Sequence, residues 1–441
     1  MERKFDSKNK ILIITYYWPP SGGAGVQRWV KFAKYLPQFG FEPIILTVDP
    51  KDATYLLIDE SLSKELDSSL EIHKTPTADI LRLFGNIFGK NKLPHSGFSG
   101  EKKATFLNKI LRFIRGNFFI PDARIGWNKY AYVKAKELIV KNDIKFLVTT
   151  SPPHSTQLIG LKLKKNFDIH WVADLRDPWV DIYFYKELMH TFLAKWIDAR
   201  YERNVLLKAD KIIVVSDAIK CLLDDKTPER LISSIAVIPN GYDEADIRRS
   251  TKTVSSPSKW TITYTGNLGF SYPGAAFLKV LRNLIDQNQT LSILFRFVGV
   301  FPNHLSKLID ELGLYDSIEH VPYVPHDQVF KYLNETDALF LAIPEAKNNE
   351  GILTGKLFEY LASQKPILCI GPVHGDAAKI IQSCETGQTF EKENGSEILI
   401  YLQRLVDAHK EERRYFTPNL RYKDYSRENL TKELSCILNT M

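Results

Sequence analysis

GILTGKLFEYLASQKPILCIG, residues 351–371, runs from a small flexible loop into a helix-forming stretch and on to the strand-like ILCI. A helix followed by a short apolar strand is one step of the alternation that builds an α/β sheet. Within it, Thr354 stands where it can cap the helix, and Gly355 removes side-chain bulk. The unpaired amides of a first helical turn, together with the helix dipole, favour a phosphate placed there. Lys356 adds a full positive charge, and Glu359, three residues on, shares its helical face. One end of the helix can therefore hold a diphosphate while a carboxylate accepts hydrogen bonds from ribose hydroxyls. Leu357, Tyr360 and Leu361 are expected to face the core. The plainer alternative is an amphipathic helix with a solvated Lys and Glu.

The same alternation extends in both directions. ILIITYY, EPIILTV, FLVTTS, WVADL, KIIVVS and IAVIP punctuate the first half, and WTITYTG, LFRFVG, IEHVPYV, ALFLAI and PILCIG the second. Short apolar strands separated by helix-length segments indicate parallel sheets, and two series indicate two Rossmann-like domains. At 441 residues the chain is also too long for one ordinary core. The stretch PNGYDEADIRRSTKTVSSPSKW turns polar and poor in apolar residues, which places the boundary between 240 and 258. The expected division is 1–240, 241–420 and a helical tail over 421–441. Parallel sheets bind ligands beyond the carboxyl ends of their strands, so a deep inter-domain cleft is the expected seat of the chemistry.

A hydrophobic share of 44% with 25% charged residues is that of a soluble globular chain. The longest apolar runs fall short of the roughly 20 residues a spanning helix needs. The apolar run after the basic start ends at Pro19 and Pro20, so it suits a first buried strand better than a secretory signal. Cys221, Cys369, Cys384 and Cys436 lack the close pairing of a zinc site or disulfide framework, and a reducing cytoplasm fits them. Charge is local. Residues 81–130 hold ten Lys or Arg against two acids, and this +8 leaves the rest of a +7 chain at −1. Interleaved with Phe, Leu and Ile, those cations form an amphipathic segment suited to an anionic membrane surface. A solvated basic face over an ordinary core is the alternative. Nucleic acid is not expected, because no binding module accompanies the patch.

Three strand-end loops carry further candidates. Gly22, Gly23 and Gly25 in WPPSGGAGVQR let backbone approach a ligand before a helix begins near Val26. They fit a dinucleotide fingerprint poorly, since its third glycine would fall on Arg28 and the loop is too long. In TTSPPHS, two prolines stiffen the loop that presents His154, which can accept a proton or hydrogen-bond a sugar hydroxyl. The nine other histidines, His326 among them, match no motif as well. In WVADLRDPW, Asp174, Arg176 and Asp177 follow a buried strand, where charges cost free energy unless paired or used. Asp174 is the candidate to orient an acceptor hydroxyl, with Arg176 and Asp177 holding the loop.

GGAGVQR, TSPPHS, ADLRDPW, VVSDAIK, VIPNGYD, YTGNLG and GKLFEYLASQKPIL, in this order and spacing, resemble the signature of the retaining family-four glycosyltransferases of GT-B fold, of the bacterial surface-glycan type. The resemblance covers nearly the whole chain. It implies transfer of a sugar from a nucleoside diphosphate to an acceptor hydroxyl of a glycan or lipid-linked glycan, on the cytoplasmic side of the membrane. It implies no cofactor and no metal, and a C-terminal helix that crosses back onto the first domain. The glycine loop would face the donor sugar and phosphate, and Gly266 and Asn267 would bring amides to the diphosphate. The nucleobase would rest on Tyr323, Val324 and Pro325. Lys356 and His154 would serve the chemistry, and Thr354, Gly355, Leu357 and Glu359 the donor.

The chain departs from the pattern twice. Phe270, Ser271 and Tyr272 stand where the family carries an Arg and a Lys, which leaves neutralisation of the diphosphate to Lys356. The first of two paired glutamates is Gly351, with Glu345 and Glu350 as offset substitutes. These losses motivate an alternative, a non-catalytic nucleotide-sugar or glycan-binding protein of the same fold. A nicotinamide oxidoreductase is a third.

Overall fold

The structure is a computed structural model that describes residues 9–55, 57–78, 106–228, 235–248, 258–413, 415, 417 and 419–441. The chain forms two compact units, Met1–Pro239 with Arg427–Met441, and Asn240–Ser426.

In the first unit, strands β1 (Asn9–Ile14), β2 (Phe41–Val48), β3 (Glu71–Thr75), β4 (Phe146–Ser151), β5 (His170–Leu175), β6 (Lys211–Val214) and β7 (Ile235–Val237) form one sheet. Their order is β3-β2-β1-β4-β5-β6-β7, and every pairing is parallel. Ile11 to Ile14 on β1 and Ile44 to Leu46 on β2 are wholly buried, because helices cover both faces of a parallel sheet. One face packs against helices Asn128–Asn142 and Ser155–Asn166 through Trp127, Ala131, Leu138 and Ile159. The other packs against helix Ala24–Tyr35 and the C-terminal helix Arg427–Asn439. That last helix contributes Leu430, Leu434 and Leu438, spaced by four residues so that they lie on one face.

The second unit repeats the plan. Strands β8 (Lys259–Asn267), β9 (Ser292–Val300), β10 (Ile318–Val321), β11 (Ala338–Ala342), β12 (Ile367–Ile370) and β13 (Gly387–Phe390) are ordered β10-β9-β8-β11-β12-β13, again parallel. Two doubly wound sheets are what the alternation of strands and helices requires. In each, the strand order reverses beside the first strand, between β1 and β4 and between β8 and β11. Loops leaving those strand ends diverge and open a crevice, which is the binding position of open α/β sheets. The glycine loop and TTSPPHS leave β1 and β4, and YTGNLG closes β8. The stretch that opened the sequence analysis becomes helix Gly355–Ser363 and β12.

The C-terminal helix is an integral part of the first unit's core. Leu434→Ala should lower the unit's stability by about 2–5 kcal/mol, measured by urea denaturation. A change below about 1 kcal/mol would mean that this helix is not held by its leucines.

Candidate functional site

In the second unit, the geometry converges on Lys356. Its Nζ donates to the hydroxyl of Tyr264 at 2.9 Å and lies 4.6 Å from the centroid of that ring. Tyr264 is wholly buried and in turn donates to the carbonyl of Asn267 at 2.7 Å. The side chain passes over Gly266, where a Cβ would stand 2.5 Å from Lys356 Cε, and the backbone there has φ +101°. Only glycine serves both constraints. Gly266 and Asn267, 88 residues or more before Gly355 and Lys356, are thus brought together with them at one strand end.

Burial lowers the Lys356 pKa, while Tyr272 and Glu359 act to raise it. An ammonium has three donors, and Tyr264 takes one. The Leu357 amide bonds to the Thr354 carbonyl at 3.2 Å. The amides of Gly355 and Lys356 have no acceptor among the described residues. An anion at this helix start meets two amides, one ammonium and a dipole end.

One sequence expectation is corrected here, and two others gain detail. Thr354 occupies the N-cap position, but its hydroxyl makes no cap bond, and it is buried without a partner among the described residues. Leu357 is wholly buried in the core, so its side chain cannot touch a donor. Glu359 is not a free carboxylate: His326 Nε2 lies 3.0 Å from its Oε1, with both side chains largely buried. His326 begins helix His326–Asn334, directly after the loop of Tyr323 and Val324, so it ties that loop to Glu359. Tyr323 itself is half exposed. Of the two glutamates offered for the missing position, Glu345 is paired with Lys392, and Glu350 is exposed in the turn Asn349–Gly351.

The first unit assembles a different kind of site. Gly23 has φ +105° and caps helix Ala24–Tyr35. Gly22 donates to Leu57 O at 2.9 Å. Gly25 lies against Arg176, so close that a Cβ would stand 1.9 Å from Nη1. That guanidinium cannot swing aside cheaply, because it donates to Ser151 O at 2.9 Å and Pro152 O at 3.2 Å. Arg176 therefore staples the glycine loop to the proline loop.

Asp174, expected to face an acceptor, is wholly buried. Its Oδ1 accepts from Arg28 at 3.0 Å, and its Oδ2 from Trp29 at 2.7 Å and Thr150 at 2.8 Å. Both oxygens are engaged, so it anchors helix Ala24–Tyr35 to the sheet instead of orienting a substrate. Burial raises the pKa of Asp177, with Arg176 opposing the rise.

His154 stacks on Trp179, with ring centroids 4.7 Å apart and planes 16° from parallel. Its Nδ1 is buried and unpartnered among the described residues. Burial, with Arg176 and Lys226 adding positive potential, holds its pKa down to about 3. The ring is therefore neutral at ordinary pH. It can donate or accept a hydrogen bond and is a weak proton acceptor, which favours the hydrogen-bonding role over the general-base one. Trp179 has φ +39°, an unusual conformation for a bulky residue. Its indole donates to Asp198 Oδ1 at 2.8 Å, and Tyr185 donates to Oδ2 at 2.9 Å. Burial pushes the Asp198 carboxyl up to about 6.

Sequence reasoning missed Tyr264, His326, Trp179 and Asp198. Tyr264 and Trp179 lie inside quoted motifs, one before TGN and one ending DPW, where an aromatic residue signals packing more readily than a site. His326 and Asp198 carry no local signal.

No family model and no curated protein matches the chain. Solved structures do. HepE from Anabaena, in complex with UDP, matches with a TM-score of 0.60 at 12% identity, over 98% of this chain and 100% of that one. WaaG, a glycosyltransferase involved in lipopolysaccharide biosynthesis, matches at 0.53 and 13%, over 98% and 100%. A putative UDP-N-acetylglucosamine 2-epimerase from Listeria monocytogenes matches at 0.54 and 11%, over 98% and 96%. At such identities the likeness shows the fold: two Rossmann-like units in the GT-B arrangement of strands and helices along the chain.

The depressed His154 pKa has a consequence for stability. Between about pH 6.5 and 3 the unfolded chain takes up a proton that the folded ring refuses. Folded-state stability from this residue is thus present above pH 6.5 and falls as pH drops, by at most about 1.4 kcal/mol per pH unit. His154→Gln should flatten the acid limb of a urea-denaturation series relative to the native chain. Equal slopes would show that the ring titrates as it does in water.

Proposed function

We propose that the chain transfers a sugar from a nucleoside diphosphate to an acceptor hydroxyl, as a family-four enzyme acting with retention. The observation that carries this reading is the Lys356 ammonium, desolvated beside Gly266 and the start of helix Gly355–Ser363 with donors to spare. Such a group is suited to the charge that develops on a departing diphosphate. The Gly355 and Lys356 amides and the Thr354 hydroxyl supply further contacts, and Glu359, braced by His326, is placed for ribose. Tyr323 and Val324 offer a rest for the base. In the retaining reaction, the sugar–phosphate bond breaks, and the departing phosphate oxygen takes the acceptor's proton as the new glycosidic bond forms. Lys356 stabilises the negative charge on that phosphate, and neutral His154 can hydrogen-bond a sugar hydroxyl.

HepE holds UDP, which makes UDP the first nucleotide to test. The acceptor we assign is a surface glycan or lipid-linked glycan, reached at the inner membrane face. WaaG's part in lipopolysaccharide biosynthesis supports that class. The basic run 81–130 suggested contact with the membrane. Residues 81–105 of it lie outside the described residues, and the rest includes helix Phe106–Phe118.

Calorimetry with UDP tests the site. Lys356→Ala should weaken binding by at least about tenfold and abolish turnover of a UDP-sugar. Binding and turnover near those of the native chain would refute the role of the ammonium.

His326→Ala should cost less, about two- to tenfold in UDP affinity, because Glu359 remains but loses its brace. An unchanged affinity would detach Glu359 from ribose recognition. Because the fold also carries a putative 2-epimerase, products are to be scored for epimerised UDP-sugar as well as transferred sugar. Tight UDP binding with neither product would favour the non-catalytic binder.

A further inference from the structure

Among the described residues, Phe192 is the most exposed large apolar side chain, at 85%. It opens helix Phe192–Lys208 in the first unit, and Leu193 and Trp196 beside it are 63% and 51% exposed. The opposite face of that helix buries Ala194, Asp198, Val205 and Leu206, so the exposed residues are not a core face left open by chance of register. Helix Phe106–Phe118 is locked against the turn just before it. The Asn117 amide donates to Met189 O at 3.1 Å, and its carbonyl accepts from the Thr191 N–H at 2.6 Å. This joint brings exposed Phe118 and Met189 to the same surface.

The exposed charges around it are mostly positive. Lys109, Lys186, Lys195 and Arg200 are exposed on these elements, and the Arg200 guanidinium lies 5.4 Å from the Trp196 ring centroid. Of the acids on the same elements, Asp198 and Glu202 are buried, and the exposed Glu187 is ion-paired to Arg112 at 3.2 Å. An apolar aromatic patch of this kind marks an interaction surface. Aromatic side chains ringed by Lys and Arg match the headgroup layer of an anionic bilayer, where rings enter the acyl boundary and cations meet phosphates.

We infer that this face of the first unit, Phe118, Met189, Phe192, Leu193 and Trp196 with their surrounding cations, docks on an anionic lipid bilayer. It deepens the proposed function by supplying the surface from which a lipid-linked acceptor is reached. It rests on that reading for its purpose alone, since vesicle binding involves no sugar and no Lys356. A transferase that ignored vesicles and a vesicle binder without transferase activity would be distinguishable outcomes.

The experiment is co-sedimentation of the full chain with phosphatidylcholine vesicles containing about one-third phosphatidylglycerol, at low and high salt, and with phosphatidylcholine alone. The native chain should bind the anionic vesicles and be released by salt. The double variant Phe192→Ser, Trp196→Ser should bind at least about tenfold more weakly, with its thermal transition and UDP affinity unchanged. The pair Lys195→Glu, Arg200→Glu should lose the preference for anionic vesicles. Native-level binding by the aromatic variant, or no binding by the native chain, overturns the inference. So does sedimentation of the native chain as a dimer that the aromatic variant breaks, because the face would then be covered by a second copy.

Discussion

The second unit is organised around a partly buried ammonium group whose hydration is only partly replaced. Burial of a charge costs several kcal/mol unless partners replace its hydration. Lys356 receives one hydroxyl and one aromatic face, both from Tyr264. Everything near it accommodates that placement. Gly266 gives up its side chain, Tyr264 is fixed through Asn267 O, and the helix that carries the lysine points its amino end to the same place. A site with this imbalance is stabilised by whatever anion completes it.

The first unit shows the opposite balance at Asp174, which is wholly buried where Lys356 is only partly so. Asp174 has a guanidinium, an indole and a hydroxyl on its two oxygens, so nothing is left to offer a ligand. The contrast separates site from scaffold by physical means. Two charged residues, each in a strand-end or helix-start motif, are distinguished by whether their hydrogen-bonding capacity is spent. Arg176 lies between these extremes, holding two carbonyls of the proline loop while filling the space that Gly25 leaves open.

This distinction also explains what was legible in the chain. The fold was, because apolar strands such as FLVTTS and ILCI carry their burial on both faces and leave no doubt about a parallel sheet. The meeting of Lys356 with Gly266 was also legible, because a glycine after a strand and a lysine at a helix start were both singled out by their motifs. What could not be read was the second layer. His326 reaches Glu359 across 33 residues, and Asp198 reaches Trp179 from another helix. Such contacts are set by how helices seat on the sheet, which leaves no periodicity or spacing in the sequence. Asp174 was misjudged for the same reason, since its partners Arg28 and Trp29 lie about 145 residues earlier.

Trp179 brings these threads together. Holding a bulky residue in the left-handed region costs on the order of 1–3 kcal/mol and persists only where the surroundings impose it. Here they do: the indole is pinned by Asp198, which Tyr185 pins in turn. The return is a flat platform under the His154 ring. Because burial keeps that ring neutral, its value lies in where its nitrogens sit and not in whether it gains a proton. The stack fixes the plane of the imidazole, and the conformation of Trp179 is the cost of holding that platform in place.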